Sequence, residues 1–77
     1  MYGGWMIMED IKKLFGLNVR KYRLERNLSQ EKLAEKSGLH RTYISAVERA
    51  ERSISLDNIE KLANSLNIEP YQLFIRD

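Results

Sequence analysis

Gly38 does more than any other residue to limit what this chain can become. It separates two apolar-periodic segments, Leu28 to Ser37 and Leu39 to Arg49, each long enough for little more than two helical turns. Helices that short are marginal in water, so both must be held by packing rather than by their own propensity. Glycine enters left-handed backbone without penalty, which lets the chain reverse sharply between them. Ser29 is a good N-cap for the first segment, with Leu28 and Leu33 placed as a hydrophobic staple and Glu31 in the first turn, where the helix dipole favours a carboxylate. Ala34 is small enough to let a second helix come close. Leu39 plugs the junction, and Ile44 and Val47 anchor the next helix inward. The pattern predicts one short helix held out from the body of the protein with its N-terminal half exposed.

The remaining segments supply that body. From Asp10, Ile11, Leu14, Phe15, Val19 and Tyr22 recur at three- and four-residue steps and mark an apolar face, opposite Lys12, Lys13, Arg20, Lys21 and Arg26. Asn27 tolerates the left-handed conformation of a helix exit and closes this helix. A third helix runs from about His40 to Arg49, and Ala50 to Ile54 lacks periodicity and reads as a loop. Ser55 caps a fourth helix with Leu56, Ile59, Leu62, Ala63 and Leu66 as its stripe, ended by Asn67. Pro70 stands at the first turn of a short fifth helix, where its missing N–H costs nothing. Residues 1–9, with Gly3-Gly4 and Trp5, read as a flexible leader in which Met6 and Met8 are alternative starts. The expected fold is all-α, a five-helix bundle forming one domain over residues 10–77.

Composition narrows the function. A chain of 77 residues buries a single core. There is no Cys, which removes disulfides and thiolate metal sites. One His, with no Ser/His/Asp or paired-carboxylate arrangement, argues against an enzyme, and nothing calls for a metal, a cofactor or a small-molecule ligand. The apolar runs are too short to cross a bilayer, and Met1 to Met8 lacks the positive flank and apolar stretch of a secretory signal, so a cytoplasmic location is expected. Charge is unevenly placed. Residues 1–53 carry eleven Lys/Arg against seven Asp/Glu, whereas residues 54–77 carry two against four. The basic part suits a polyanion and the acidic tail does not, although many solvated helical surfaces show a similar imbalance.

Leu28-Ser29-Gln30-Glu31-Lys32-Leu33-Ala34, then Gly38-Leu39, then Tyr43-Ile44-Ser45 and Val47-Glu48-Arg49, resembles the phage repressor and Cro-like (XRE-type) helix-turn-helix family, in order and spacing. The resemblance covers about Phe15 to Phe74 and implies a lambda repressor-like DNA-binding domain. It departs from the family at Ala50, where glycine is common. A narrower likeness rests on His40-Arg41-Thr42-Tyr43-Ile44-Ser45, Glu48-Arg49 and Arg52-Ser53-Ile54-Ser55-Leu56. These resemble the controller proteins of restriction–modification systems, dimeric transcription regulators that time expression of the nuclease and of their own gene. A phage-type repressor, or an antitoxin whose main partner is another protein, is the alternative on the same scaffold.

An exposed helix of this kind fits the major groove of double-stranded DNA, about 12 Å wide. Arg41 and Thr42 stand at its start, where Arg can donate two hydrogen bonds to guanine and Thr can touch a thymine methyl or a phosphate. Tyr43 offers a hydroxyl to a base or phosphate, or else packs against the second helix. Ser45 and Ala46 complete the candidate base-contacting set. Candidate phosphate contacts are Gln30, at a helix N-terminus where backbone N–H groups attract anions, with His40, Arg49, Arg52 and Ser53. Glu48 would be repelled by DNA. The resemblance implies that it pairs with an arginine on the first helix, which here is Arg23.

One recognition helix reads few base pairs, so a homodimer on a near-palindromic operator is expected. Ile54, Ile68, Tyr71, Leu73, Phe74 and Ile75 are the candidate dimer residues, with membership of the chain's own core as the competing reading. RNA polymerase is a further candidate partner.

Overall fold

The computed structural model describes residues 8–76, with side chains from Ile11 onward. Among the described residues four α-helices follow one another: α1 (Met8–Glu25), α2 (Gln30–Ser37), α3 (Arg41–Glu48) and α4 (Leu56–Leu66), with a closing 3-10 turn at Pro70–Phe74. Residues 1–7 of the expected leader lie outside the described residues, while Met8 and Glu9 belong to α1, so that helix starts two residues before Asp10.

The helix ends follow from local chemistry. Ser29 Oγ accepts the Lys32 N–H at 2.9 Å to start α2, and Ser55 Oγ accepts that of Asn58 at 3.1 Å to start α4. Gly38 ends α2 at φ 76°, with its N–H on the Ala34 carbonyl at 2.8 Å. Asn27 (φ 56°) follows α1 and Asn67 (φ 59°) ends α4 in the same left-handed region. Ala50, after α3, sits there too at φ 63°, although it has neither the freedom of glycine nor an amide to compensate.

The expected fifth α-helix is a single 3-10 turn, a correction with a clear cause. Gln72 Oε1 accepts the Glu69 N–H at 2.9 Å and tightens the turn. Buried Asn18 of α1 then donates to the carbonyls of Leu73 and Ile75, at 2.9 and 3.0 Å. Those carbonyls are satisfied across the fold, and no further helical turn is needed to satisfy them.

Phe15, Val19, Leu33, Ile44, Val47, Leu62, Leu66 and Leu73 form the core. α1 and the end of α3 meet at Gly16, where a Cβ would stand 2.5 Å from the Val47 carbonyl oxygen and 2.9 Å from that of Glu48. Glycine inside a helix costs about 1 kcal/mol relative to alanine. Here it allows backbone-to-backbone approach, which fixes where α3 lies. Among the described residues no helix is long and apolar enough to cross a membrane.

Candidate nucleic-acid interface

α3 is anchored by Ile44, fully buried, and Val47, 2% exposed. With those two residues turned inward, helical geometry leaves Arg41 and Thr42 exposed at its N-terminal end, next to His40. His40 is the N-cap in extended backbone and makes no side-chain cap bond. The Arg41 side chain forms no hydrogen bond or ion pair with any described residue. Tyr43, Ser45 and Ala46 are half-buried behind them.

The angle of α3 is set by a buried polar joint. Arg23 Nε donates to Glu48 Oε2 at 2.7 Å and Nη2 to Oε1 at 3.0 Å, a two-point pairing that resists rotation. The third side of the guanidinium is used as well, with Nη1 on the Leu28 carbonyl at 2.9 Å. The two side chains are only 8% and 4% exposed. The implied Arg23–Glu48 pair therefore forms, and it is joined by Gln30, whose Nε2 donates to Glu48 Oε1 at 3.0 Å. Gln30 thus spends one amide hydrogen inside the protein, leaving the other and the start of α2 for an anion. Every buried side-chain N and O among the described residues has a partner.

A second cluster ties α3 to the loop after it. The Tyr43 hydroxyl donates to the Ser53 carbonyl at 3.4 Å and accepts from Asn58 Nδ2 at 3.1 Å. Arg52 lies over the Tyr43 ring, 5.1 Å from its centroid. Tyr43 is thereby tied to this loop and to α4 and also packs on the core, and its one hydroxyl hydrogen is committed. Arg49, exposed, donates to Ser45 Oγ and, at 2.9 Å, to Glu51. The hydrogen bond first, and then the charge, raise the Arg49 pKa and hold the Glu51 carboxyl below its ordinary value.

His40, Arg41, Thr42, Arg49, Arg52 and Ser53 thus lie on or beside α3, while Gln30 reaches that helix at its C-terminal end through Glu48. The dimer candidates divide. Leu73 is fully buried in the chain's own core and is withdrawn from that set, because α1 and α4 cover it. Ile54 and Ile68 pack partly against the core, whereas Tyr71, Phe74 and Ile75 are exposed. Phe74 rests on Phe15 with ring centroids 5.2 Å apart. With Ile11, Ile54 and Ile59 these rings line an apolar cavity of about 160 Å³. Gly16, Asn18 and Asn58 were not among the expected site residues, though each places one that was. For Gly16 a signal existed, since a lone glycine within a helical pattern often marks close packing.

The helix-turn-helix family model matches residues 19–73, and the chain belongs to that family. Its relatives narrow the class to the controller proteins of restriction–modification systems. Control protein C.BamHI of Bacillus amyloliquefaciens is 54% identical over 65 residues, 83% of this chain and 80% of that protein. The crystal structure of the restriction-modification controller protein C.AhdI from Aeromonas hydrophila superposes with TM-score 0.80 at 51% identity, covering 82% of this chain and 96% of that one. A tetramer of controller protein C.Esp1396I, solved in complex with its natural 35 base-pair operator, matches with TM-score 0.76 at 34% identity over 83% of this chain and 84% of that one.

Proposed function

We propose that the chain is a sequence-specific DNA-binding transcriptional regulator, a controller protein of a restriction–modification system, acting as a homodimer in the cytoplasm. The observation that carries this reading is the position of α3. It is locked from behind by the Arg23–Glu48–Gln30 joint, while the side chains of Arg41 and Thr42 at its front have no partner among the described residues to hold them back. A rigid helix with an unsaturated polar edge is what direct reading of base edges requires. In this reading Arg41, Thr42, Tyr43, Ser45 and Ala46 meet bases, Tyr43 through its remaining acceptor lone pair. Gln30, His40, Arg49, Arg52 and Ser53 meet phosphate.

Each mismatched base pair costs about 1–3 kcal/mol, too little for one helix to single out a site in a genome. Two copies on a two-fold axis double the contacts and call for half-sites about one helical turn apart. Ile54, Ile68, Tyr71, Phe74 and Ile75 form the apolar surface for that pairing. The tetramer of C.Esp1396I on its operator supports assembly on DNA. RNA polymerase is a further partner to be tested on the assembled complex.

Selection of bound duplexes from a random pool tests the reading. The expected product is a near-palindrome bound with an affinity that falls steeply as salt rises, through release of counterions. A pool that yields no enriched sequence, or binding indifferent to salt, would contradict it and favour a protein partner.

A further inference from the structure

Glu51 is a carboxylate on the loop proposed to face DNA, between the two arginines proposed to hold phosphate. Unlike Glu48 it is open to solvent. Its side chain and that of Arg49 are each 57% exposed, and Arg49 Nη2 reaches it at 2.9 Å. The other end of the same guanidinium, Nη1, donates to Ser45 Oγ on α3. One arginine therefore bridges the loop and the recognition helix, and it engages both the carboxylate and a hydroxyl proposed to meet a base. Arg52, the next cation along, is occupied by the Tyr43 ring instead and leaves Glu51 to Arg49.

We infer that Glu51 is an internal stand-in for DNA phosphate, occupying Arg49 in the free protein and giving it up when the duplex docks. The inference rests on the DNA-binding reading above. A phosphate brought to Arg49 carries the same charge as Glu51, so the guanidinium exchanges one anion for another and the carboxylate is left to solvent. Two consequences follow from ion bookkeeping alone. Docking forms one anion–cation contact and breaks another, so Arg49 adds less affinity than its charge suggests. The freed carboxylate also gathers a cation, which cancels part of the counterion release from the phosphate. Ser45 is released in the same movement, which frees the lone pair that Arg49 held and lets the hydroxyl turn towards a base. Glu51 thus holds down binding to any backbone, and it ties a base-facing hydroxyl to proper docking.

The test titrates a fluorescein-labelled duplex of mixed sequence with the wild-type chain, Glu51→Gln, Arg49→Ala and the double variant, across a range of salt. A mixed sequence suffices because phosphate contacts are independent of base identity. Glu51→Gln is expected to bind about two- to fivefold more tightly at low salt. Its slope of log K against log salt should steepen by up to about one. In the Arg49→Ala background the same substitution should change neither quantity. Unaltered affinity and slope in Glu51→Gln would overturn the exchange, and so would an equal gain with and without Arg49, which would make Glu51 a simple repulsive charge. If no chain, the wild type included, bound the duplex, the DNA reading itself would fall, a result with a different signature from either. Both positions are exposed, and melting curves verify that each variant is folded.

Discussion

Arg41 and Glu48 open and close the same eight-residue helix, and both are charged, yet they live under opposite conditions. Glu48 is shut in, its side chain 4% exposed, and three hydrogen bonds from Arg23 and Gln30 hold its carboxylate inside the protein. Arg41 is exposed, with none of its five donors used within the described residues. The contrast separates two uses of polarity on one element. Buried charge, which must be paired to be tolerated at all, sets direction. Exposed charge contributes little to the fold, which leaves it free to select a ligand. Gly16 belongs with the first region, since it too acts by fixing the seat of α3, and Ala50 marks the border between them.

The sharpest way to break this division is at the joint. Glu48→Ala leaves the Arg23 guanidinium buried without its anion and should cost about 3–5 kcal/mol in urea denaturation. A cost below about 0.5 kcal/mol, usual for a surface residue, would mean that the joint does not carry α3. Gly16→Ala should come next, at about 1–3 kcal/mol, because the new methyl meets carbonyl oxygens that belong to backbone and can yield only by moving α3. Its loss of DNA affinity should track the displaced helix.

Arg41→Ala should behave in the opposite manner. Its melting curve should stay within about 0.5 kcal/mol of wild type, while specific binding weakens by about 1–3 kcal/mol and non-specific binding is retained. Equal loss of both kinds of binding would move Arg41 from bases to phosphate. Smallest of all, Ala50→Gly should stabilise the chain by about 0.5–1 kcal/mol. The left-handed strain at φ 63° is relieved, and part of the gain returns as entropy of the unfolded glycine. Destabilisation there would show that the Ala50 methyl is held by packing.

Local rules made much of the fold legible in advance. Ser29, Ser55, Gly38, Asn27 and Asn67 mark helix ends through chemistry confined to a few neighbouring residues, and the structure places each at such an end. The Arg23–Glu48 pair was accessible through family resemblance. What escaped depends on contacts far apart in the chain. Asn18 is a polar residue on a helix until the carbonyls of Leu73 and Ile75, more than fifty residues away, come within reach of its amide. Gln30 reads as an anion contact from its place at a helix start, and only the folded geometry turns one of its hydrogens towards Glu48. Leu73 shows the same limit from the apolar side, because periodicity marks a residue to be buried without saying whether its own chain or a second copy does the burying.

Backbone amide shifts of the labelled chain, followed by NMR as the selected duplex is added, test the position of α3 most directly. The largest changes should fall on His40 to Ala46, with Gln30, Arg49 and the loop through Ser53, while exposed Leu17 and Leu24 on α1 stay still. Changes centred on α1, with Arg41 and Thr42 undisturbed, would contradict the reading of α3 as the DNA-facing helix.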